Sequence, residues 1–377
     1  MIVEPKIRRS DIDWLRVLVF GLLILFHVGM VFVPWNYHIK NNELSETFIY
    51  PMFFLSQWRL PILFVISGMG TRYALSSRSG SLFVKERFIR LVIPLIFGML
   101  IIVVPQVYYE RLAQGQQYSS IFQFYPDYFK GIYPTGNFTW NHLWFLPYLF
   151  VYSIILLPLF LYMRNNSNSG FIKFLKLFSS KPLGLYIYVI PLILVVITLR
   201  DVFPVTRNLY YDWYAFALYM VFFISGFFLI SIKDLFWVNV RRIRVYALIL
   251  GIISFALVLI LRDTFDGSIL YKIFLSINSW SWILVIFGYG SEYLNRSSKI
   301  LSYCNEAVYP FYILHQTVII FIAYYLRNIE LSILSKFILL SILTFLITWI
   351  IYEFTIRKNT FIRPLFGLKI KSNFLKK

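Results

Sequence analysis

The feature that most constrains this chain is its series of long apolar blocks. Apolar residues occupy 59% of the 377 positions. They form about ten blocks of the length, roughly 20 residues, that an α-helix needs to cross a bilayer. This pattern predicts an all-α, polytopic membrane bundle. The predicted spans are 15–35, 49–71, 91–109, 143–163, 184–200, 211–231, 243–262, 271–291, 307–326 and 333–353.

The placement of charge sets the predicted topology. The chain carries 36 Lys and Arg against 17 Asp and Glu, and most of the basic residues fall in short segments on alternate sides of the spans. Because Lys and Arg accumulate on the cytoplasmic side, both termini are predicted to be cytoplasmic, with short basic tails over 1–14 and 354–377. We predict one integral-membrane domain over 1–377 in the plasma (inner) membrane, and no nucleic-acid partner.

Cysteine and histidine content bears on redox and metal chemistry. Cys304 is the one cysteine of the sequence, which excludes a disulfide or a cysteine zinc site within it. The histidines are too few and too unevenly spaced to predict a metal site. We therefore expect no metal and no tightly bound cofactor.

Histidines within the predicted spans mark the first candidate site. His27 lies in the first span, His142 at the start of the fourth and His315 in the ninth. A titratable side chain in a span is costly and marks function by default, and histidine accepts a proton from a hydroxyl near neutral pH. The alternative is a neutral histidine that hydrogen-bonds a neighbouring helix. In this topology His27 and His142 lie at similar depth near the outer face, His315 lies deeper, and His38 is an ordinary solvated loop residue.

Arg59, within the second span, is the next candidate. A permanently charged guanidinium in the membrane faces a cavity, an anionic substrate or a counter-charge. The alternative to a functional role is therefore a structural ion pair. The acidic residues considered for that pair are Asp13, Glu110 and Glu353.

The second span also contains Pro61 and the pair Ser67-Gly68. Proline and glycine are expected to break or thin the helix locally, which is tolerated where the backbone is buried or lines a cavity. Ser67 is either an acyl carrier or part of this packing feature, and direct transfer without an acyl-enzyme is the preferred interpretation.

Arg87 and Arg90 precede the third span on the predicted cytoplasmic side. In an α-helix their i, i+3 spacing places both guanidiniums on one face, where they would grip phosphate oxygens. The alternative is that they are simply the basic residues that set the topology.

Several segments together resemble the membrane acyltransferase-3 family. Each segment is weakly specific alone, but their order and span positions match the family through most of the chain. The last one is most similar to the family's glucan succinyltransferase branch. Asp13, Ser67, Tyr309 and His315 belong to these segments and are further candidates. The segments are Asp13-Trp14-Leu15-Arg16 with Phe26-His27, Trp58-Arg59-Leu60-Pro61 through Ser67-Gly68, Arg87 to Leu91 with Pro94, His142 to Leu146, and Asn305 to Gln316.

The resemblance implies transfer of an acyl group, acetyl or succinyl, from cytoplasmic acyl-CoA to a hydroxyl of an extracytoplasmic glycan or similar acceptor. His27 corresponds to the family's catalytic histidine, and Arg87 and Arg90 to its paired donor-side arginines. The reaction also needs dipoles that stabilise an oxyanion. The candidates for that task are His142, Trp144 and Arg59.

The aromatic segment 119–140 resembles a lid or re-entrant segment that adjoins His142. Aromatic rings pack on sugar rings, so Trp140, Trp144 and Tyr128 are predicted to bind the acceptor. The alternative is the interfacial aromatic belt common to membrane proteins.

Two other functions fit the same spans. A transporter or flippase for glycans or lipid-linked sugars would use the cavity without acyl chemistry, although no internal repeat supports it. A signalling or structural membrane protein would use the buried polar residues to join helices. The partners expected for the enzyme are acyl-CoA, a glycan or other hydroxyl acceptor, the lipid bilayer and envelope biosynthesis proteins.

Overall fold

The computed structural model describes residues 9–370, and this part of the chain is helical without a β-strand. The all-α prediction is therefore confirmed. Several helices begin where a serine hydroxyl accepts a hydrogen bond from a backbone N–H in the first turn, as at Ser120, Ser169, Ser268 and Ser332. The helices are Ser10–Gly29 (α1), Ile49–Leu75 (α2), Gly80–Ala113 (α3), Ile121–Tyr128 (α4), Asn141–Ile155 (α5), Leu157–Asn165 (α6), Gly170–Ser179 (α7), Gly184–Leu199 (α8), Trp213–Ser231 (α9), Lys233–Phe265 (α10), Ile269–Tyr293 (α11), Lys299–Leu326 (α12) and Ile333–Ile356 (α13).

Each predicted span coincides with helical structure. Within residues 9–370, eight helices are long and apolar enough to cross a membrane. A ninth span is formed if α5 and α6, which meet at a 52° bend, are counted as one. The remaining predicted span, 184–200, corresponds to the shorter helix α8. The count of ten spans and the cytoplasmic position of the termini stay predictions.

The described chain divides into two compact units. The first contains residues 9–19, 56–83 and 152–305, and the second contains 20–55, 84–151 and 306–370. In the second unit, the end of α1 packs against α12 and α13 through buried aliphatic and aromatic side chains, including Ile24, Val28, Ile319 and Leu340. This apolar contact brings the polar residues of α1 and α12 to the same place.

Helix α2 runs without interruption through Pro61, Ser67 and Gly68. The expected local break is therefore wrong. Gly68 instead permits a close crossing within the first unit, because a Cβ at this position would lie 1.9 Å from the carbonyl oxygen of Phe223 in α9. Gly226 repeats the contact in the other direction, with a Cβ position 2.0 Å from the carbonyl oxygen of Val65. Small residues on both helices let their backbones touch.

Helix α3 contains two π-turns, Phe88–Val92 and Gly98–Ile102. A π-turn replaces the usual i→i−4 hydrogen bonds by i→i−5 bonds and is frequent at functional sites. The second turn exposes the carbonyl of Ile102 to side chains, and this oxygen accepts a hydrogen bond from the Thr317 hydroxyl at 2.7 Å. The irregular helix thus contributes backbone acceptors to the interior of the second unit.

Candidate active site: a histidine pair in the second unit

His27 and His315 form a hydrogen-bonded pair. The Nδ1 atom of His27 lies 2.8 Å from the Nε2 atom of His315, and the two rings stack with centroids 5.1 Å apart. His315 was expected to lie deeper in the membrane than His27, but the structure brings the two side chains into contact. Helix α12 begins at Lys299, eight residues before the predicted span, and His315 lies near its middle.

Hydrogen bonds define which ring nitrogens of this pair carry protons. His315 Nδ1 lies 2.8 Å from the carbonyl oxygen of Tyr312 and 3.1 Å from that of Phe311. Carbonyl oxygens only accept hydrogen bonds, so Nδ1 of His315 carries the proton and its Nε2 is the acceptor when the ring is neutral. His27 therefore donates from Nδ1, and its own proton-accepting lone pair is on Nε2.

His142 adjoins this pair but makes different hydrogen bonds. Its ring centroid lies 5.2 Å from that of His315. Nε2 of His142 donates to the carbonyl oxygen of Ile313 at 3.1 Å, while Nδ1 faces the amide nitrogen of Gln106 at 3.4 Å. Nδ1 therefore accepts, and the ring is neutral with both nitrogens engaged. The Tyr312 hydroxyl donates to the His142 carbonyl at 2.7 Å, so α5 is tied to α12 twice.

A cluster of amides continues from His142. Gln106 and Gln316 both approach Asn141, whose side-chain nitrogen donates to Gln106 Oε1 at 2.7 Å and whose Oδ1 accepts from Gln316 Nε2 at 3.0 Å. Gln106 also donates to the Thr317 hydroxyl at 2.7 Å. Asn141 has φ +46°, a left-handed conformation that asparagine tolerates better than most residues. The cluster thus holds the turn that presents His142.

His38 is part of this polar network. Its Nδ1 lies 2.6 Å from Glu110 Oε2 and its Nε2 lies 2.9 Å from Asn141 Oδ1. Only 11% of the His38 side chain is exposed, so the expectation of a solvated residue is wrong. Both ring nitrogens of His38 therefore face oxygen atoms, which hold the ring between α3 and the start of α5. The Tyr133 hydroxyl donates to the other oxygen of Glu110 at 3.0 Å.

The aromatic segment before His142 is folded around a buried arginine. Arg111 donates to the Asn137 side chain at 2.7 Å and to the carbonyl oxygens of Pro134 and Gly136 at 3.1 and 2.7 Å. The backbone between 131 and 138 closes on itself through its own hydrogen bonds. The segment is therefore a structured loop whose position is fixed by α3.

The predicted acceptor residues differ in exposure. Trp140 is half-buried, whereas Trp144 and Tyr128 are buried. The Tyr128 hydroxyl donates to the carbonyl oxygen of Thr139 at 2.8 Å, and burial raises the pKa of Tyr128 above its ordinary value. Tyr128 thus braces the loop, while Trp140 presents part of its surface.

Arg87 and Arg90 lie at the first π-turn of α3, where Arg87 precedes the turn and Arg90 is within it. The pair is thus at an irregular turn and not in a regular α-helix, and its position on a single face stays a prediction. Arg90 is exposed and Arg87 is half-buried. The Tyr309 hydroxyl donates to the Arg90 carbonyl at 2.6 Å, which ties this turn to α12.

Arg59, Ser67 and Asp13 belong to the first unit, whereas the three histidines above belong to the second. Arg59 is buried, with Tyr219 and Arg207 as electrostatic neighbours. The Ser67 hydroxyl donates to the carbonyl oxygen of Leu63 at 2.8 Å, one turn back on its own helix.

The acidic residues considered as partners of Arg59 each form another ion pair. Asp13 pairs with Arg16 at 3.1 Å, Glu110 with His38, and Glu353 with Arg357 at 2.9 Å. Arg16 also donates to the Asn305 side chain at 3.0 Å, so Asp13 belongs to a structural cluster at the start of α1.

Sequence reasoning missed the amides and the His38–Glu110 pair. Gln106, Asn141 and Gln316 are neutral and carry no charge signal, although a glutamine inside an apolar block is itself unusual. The proximity of His38 to Glu110 depends on contacts 72 positions apart, which no local pattern encodes.

Comparisons with known proteins identify the family of this chain. The model of the acyltransferase domain family matches residues 9–353. Glucans biosynthesis protein C of Shigella dysenteriae serotype 1 (strain Sd197) is 25% identical over 344 residues, which cover 85% of this chain and 84% of that protein. The protein of the same name from Escherichia coli (strain K12) has the same identity and coverage. No solved structure matches the chain. The chain belongs to this acyltransferase family, as a multi-pass membrane enzyme that transfers acyl groups other than aminoacyl groups.

Proposed function

We propose that this enzyme transfers an acyl group from acyl-CoA to a hydroxyl of an extracytoplasmic glycan, in the plasma (inner) membrane. The observation that carries the proposal is the histidine pair, because it supplies a general base of defined tautomer. His27 donates from Nδ1 to His315 and accepts a proton at Nε2. The names of these two relatives refer to glucan biosynthesis, which favours a glucan as the acceptor.

The proposed reaction is direct transfer. His27 Nε2 removes the proton of the acceptor hydroxyl as that oxygen attacks the thioester carbonyl carbon. The tetrahedral intermediate collapses with cleavage of the carbon–sulfur bond, and the CoA thiolate takes the proton from His27. The imidazolium formed in between is oriented by His315, whose Nδ1–H is held by backbone carbonyls. No acyl-enzyme is required.

The donor is proposed to bind at the first π-turn of α3. A guanidinium group can donate two parallel hydrogen bonds to the oxygens of a phosphate. Arg87 and Arg90 would contact the phosphates of CoA in this way from the cytoplasmic side. The exposed side chain of Arg90 and the fixed Arg90 carbonyl support this assignment. Acetyl and succinyl are the proposed acyl groups.

The acceptor is proposed to enter beside Trp140 and Trp144, at the two ends of the turn that carries His142. Indole faces pack on sugar rings, and Tyr128 keeps the adjoining loop in place. His142 is proposed to position α12, because its two ring nitrogens are engaged within the protein. The catalytic role predicted for Arg59 stays a prediction, because Arg59 belongs to the first unit and the histidines to the second.

The test is mass spectrometry of cell-surface glycans from cells that express wild-type protein or His27→Ala. We expect acylated glycans with the wild type, and the same glycans without the acyl group with the variant. Gly70→Ala is the matched control, because a Cβ at Gly70 meets no atom within 4 Å. If His27→Ala still supports acylation at wild-type levels, the proposal fails. Loss of the surface glycans themselves would instead favour a transporter.

A further inference from the structure

The reaction requires a hydrogen-bond donor that the histidines do not provide. A thioester carbonyl oxygen gains negative charge when it is attacked, and enzymes stabilise it with fixed N–H or O–H groups. His142 was a candidate, but its Nε2–H donates to the Ile313 carbonyl and its Nδ1 accepts from Gln106. The Nδ1–H of His27 is directed to His315. The hydrogen bond to the carbonyl oxygen must therefore come from another group.

Tyr37 lies beside His27, one member of this pair. Its ring is nearly parallel to that of His27, with an interplanar angle of 14° and centroids 6.4 Å apart. On another side it contacts the His38 ring at 5.3 Å. The phenolic oxygen is buried and has no hydrogen-bond partner among residues 9–370. Buried polar groups in native proteins are normally hydrogen-bonded, so an unsatisfied hydroxyl beside the catalytic base requires an explanation.

Packing alone does not account for this hydroxyl. Tyr37 packs against the apolar cluster at the end of α1, and phenylalanine would fill the same space without burying an unsatisfied oxygen. The other tyrosines of this region use their hydroxyls within the protein: Tyr128 donates to Thr139 and Tyr133 to Glu110. Tyr37 therefore has a hydroxyl that the fold does not use, on a ring that is stacked with His27.

We propose that the Tyr37 hydroxyl donates a hydrogen bond to the carbonyl oxygen of the acyl donor. This inference rests on the proposed function. When the acceptor oxygen bonds to the carbonyl carbon, the π-electron pair moves onto the carbonyl oxygen, which the Tyr37 O–H stabilises. When the carbon–sulfur bond breaks, the C=O bond re-forms and the thiolate takes the proton from His27. Tyr37 keeps its own proton throughout.

The state of the phenol agrees with this role. Burial raises the pKa of Tyr37 above its ordinary value, because the phenolate would be poorly solvated. Tyr37 therefore remains a neutral donor over the physiological pH range.

The test is Tyr37→Phe in purified, detergent-solubilised enzyme, assayed with acetyl-CoA and succinyl-CoA and a glucan oligosaccharide. Removal of one oxyanion donor lowers kcat by about 10²-fold or more. We expect such a loss in kcat, with KM values within about twofold and a Tm that is equal or higher. Tyr188→Phe is the matched control. Tyr188 is also buried, lacks a hydrogen-bond partner among the described residues and stacks on an aromatic ring, Trp280, in the first unit.

Three results would overturn the inference. Wild-type kcat in Tyr37→Phe would exclude the donor role, and a raised KM for the oligosaccharide with unchanged kcat would place the hydroxyl at the acceptor. A matching loss of Tm and activity would indicate that Tyr37 serves only in packing.

His27→Ala in the same assay distinguishes failure of this inference from failure of the proposed function. If His27→Ala abolishes transfer while Tyr37→Phe does not, only the inference fails. If the wild type transfers neither acyl group, the proposed function fails with it.

Discussion

At the scale of single residues, the positions of the ring protons on His27 and His315 define the site. His27 and His315 are both titratable, yet the backbone carbonyls of Phe311 and Tyr312 determine the direction of their hydrogen bond. Because the second histidine is anchored to backbone, it orients the first more rigidly than a flexible side chain would. A general base benefits from such a fixed tautomer.

His315→Ala should lower kcat by about 10²-fold, within the range attributed to a positioned acid–base group. The physical reason is that Nδ1–H of His27 loses its acceptor, so the ring is free to turn or to change tautomer. KM for acyl-CoA should stay unchanged, since the donor phosphates are proposed to bind elsewhere.

His315→Gln serves as the conservative variant, because its amide oxygen can accept the His27 hydrogen bond. We expect partial recovery of kcat and of the wild-type pH profile. Equal activity in the wild type and His315→Ala would contradict a positioning role, and so would equal inactivity of both variants.

Lys40 should titrate near pH 8. Its ammonium donates to the carbonyl oxygens of Met30 and Val33 at the end of α1, and burial lowers its pKa to about 8. The unfolded chain holds this proton up to a higher pH, so the contribution of Lys40 to stability should rise between pH 8 and the ordinary lysine range.

Pulsed acylation of lysines at different pH values, read by mass spectrometry, measures the titration of Lys40 directly. Lys130 is the comparison, because Asp127 raises its pKa. Half-maximal labelling of Lys40 should occur at a lower pH than that of Lys130. The reverse order would contradict the effect of burial.

At the scale of elements, the crossing of α2 and α9 depends on the absence of side chains. Gly68→Ala should destabilise the protein by about 1–3 kcal/mol, the usual cost of overpacking, because the new methyl group meets the carbonyl of Phe223. Backbone atoms cannot rotate away as a flexible side chain can. The measurement is thermal unfolding in detergent.

Gly70→Ala is the matched control in the same helix. It has open space at its Cβ position and should gain helix propensity, so its Tm should be equal or higher. If both variants unfold at the same temperature, the close crossing is not a stability determinant.

The turn after α13 should support the donor arginines. Gly367 has φ +68°, and a Cβ there would lie 1.9 Å from the Tyr309 ring, whose hydroxyl is bonded to the Arg90 carbonyl. Gly367→Ala should therefore displace Tyr309, disturb the π-turn and raise KM for acyl-CoA severalfold.

Gly115→Ala separates the effect of backbone strain from the effect of the contact with Tyr309. Gly115 also has positive φ, +89°, but no atom lies within 4 Å of its Cβ position. Both variants incur the cost of a left-handed alanine, about 1–2 kcal/mol, and only Gly367→Ala should change KM. An equal effect of the two substitutions on KM would count against the link to Arg90.

At the scale of the whole molecule, charge placement predicts ten spans with both termini in the cytoplasm. After Cys304→Ser, single cysteines should be placed at Ser79, Ser167, Gln116 and Asn208, all exposed. Labelling with a membrane-impermeant thiol reagent should reach positions 116 and 208 in intact cells, and positions 79 and 167 only in inverted vesicles. Reversed accessibility at any one of them would contradict the topology at that loop.

The class of the protein could be predicted from the sequence because it depends on local properties. The length and apolarity of a block decide whether it can form a spanning helix, so each of the ten predicted segments coincides with a helix or a bent pair. The motifs that carry the family resemblance are also local, since each is a short run such as Arg87 to Leu91. The acyltransferase family followed from these runs alone.

The arrangement of the site depended on tertiary contacts. His27 and His315 are 288 positions apart, and His38 and Glu110 are 72 apart. These distances depend on how α1, α3 and α12 pack against one another. Apolar surfaces control that packing, and the spacing of polar residues along the sequence does not indicate it. Tertiary contacts also decided that His38 is paired with Glu110 and that Tyr37 lies beside His27. Hydrophobic pattern determines which segments become helices, whereas side-chain packing determines which polar groups meet.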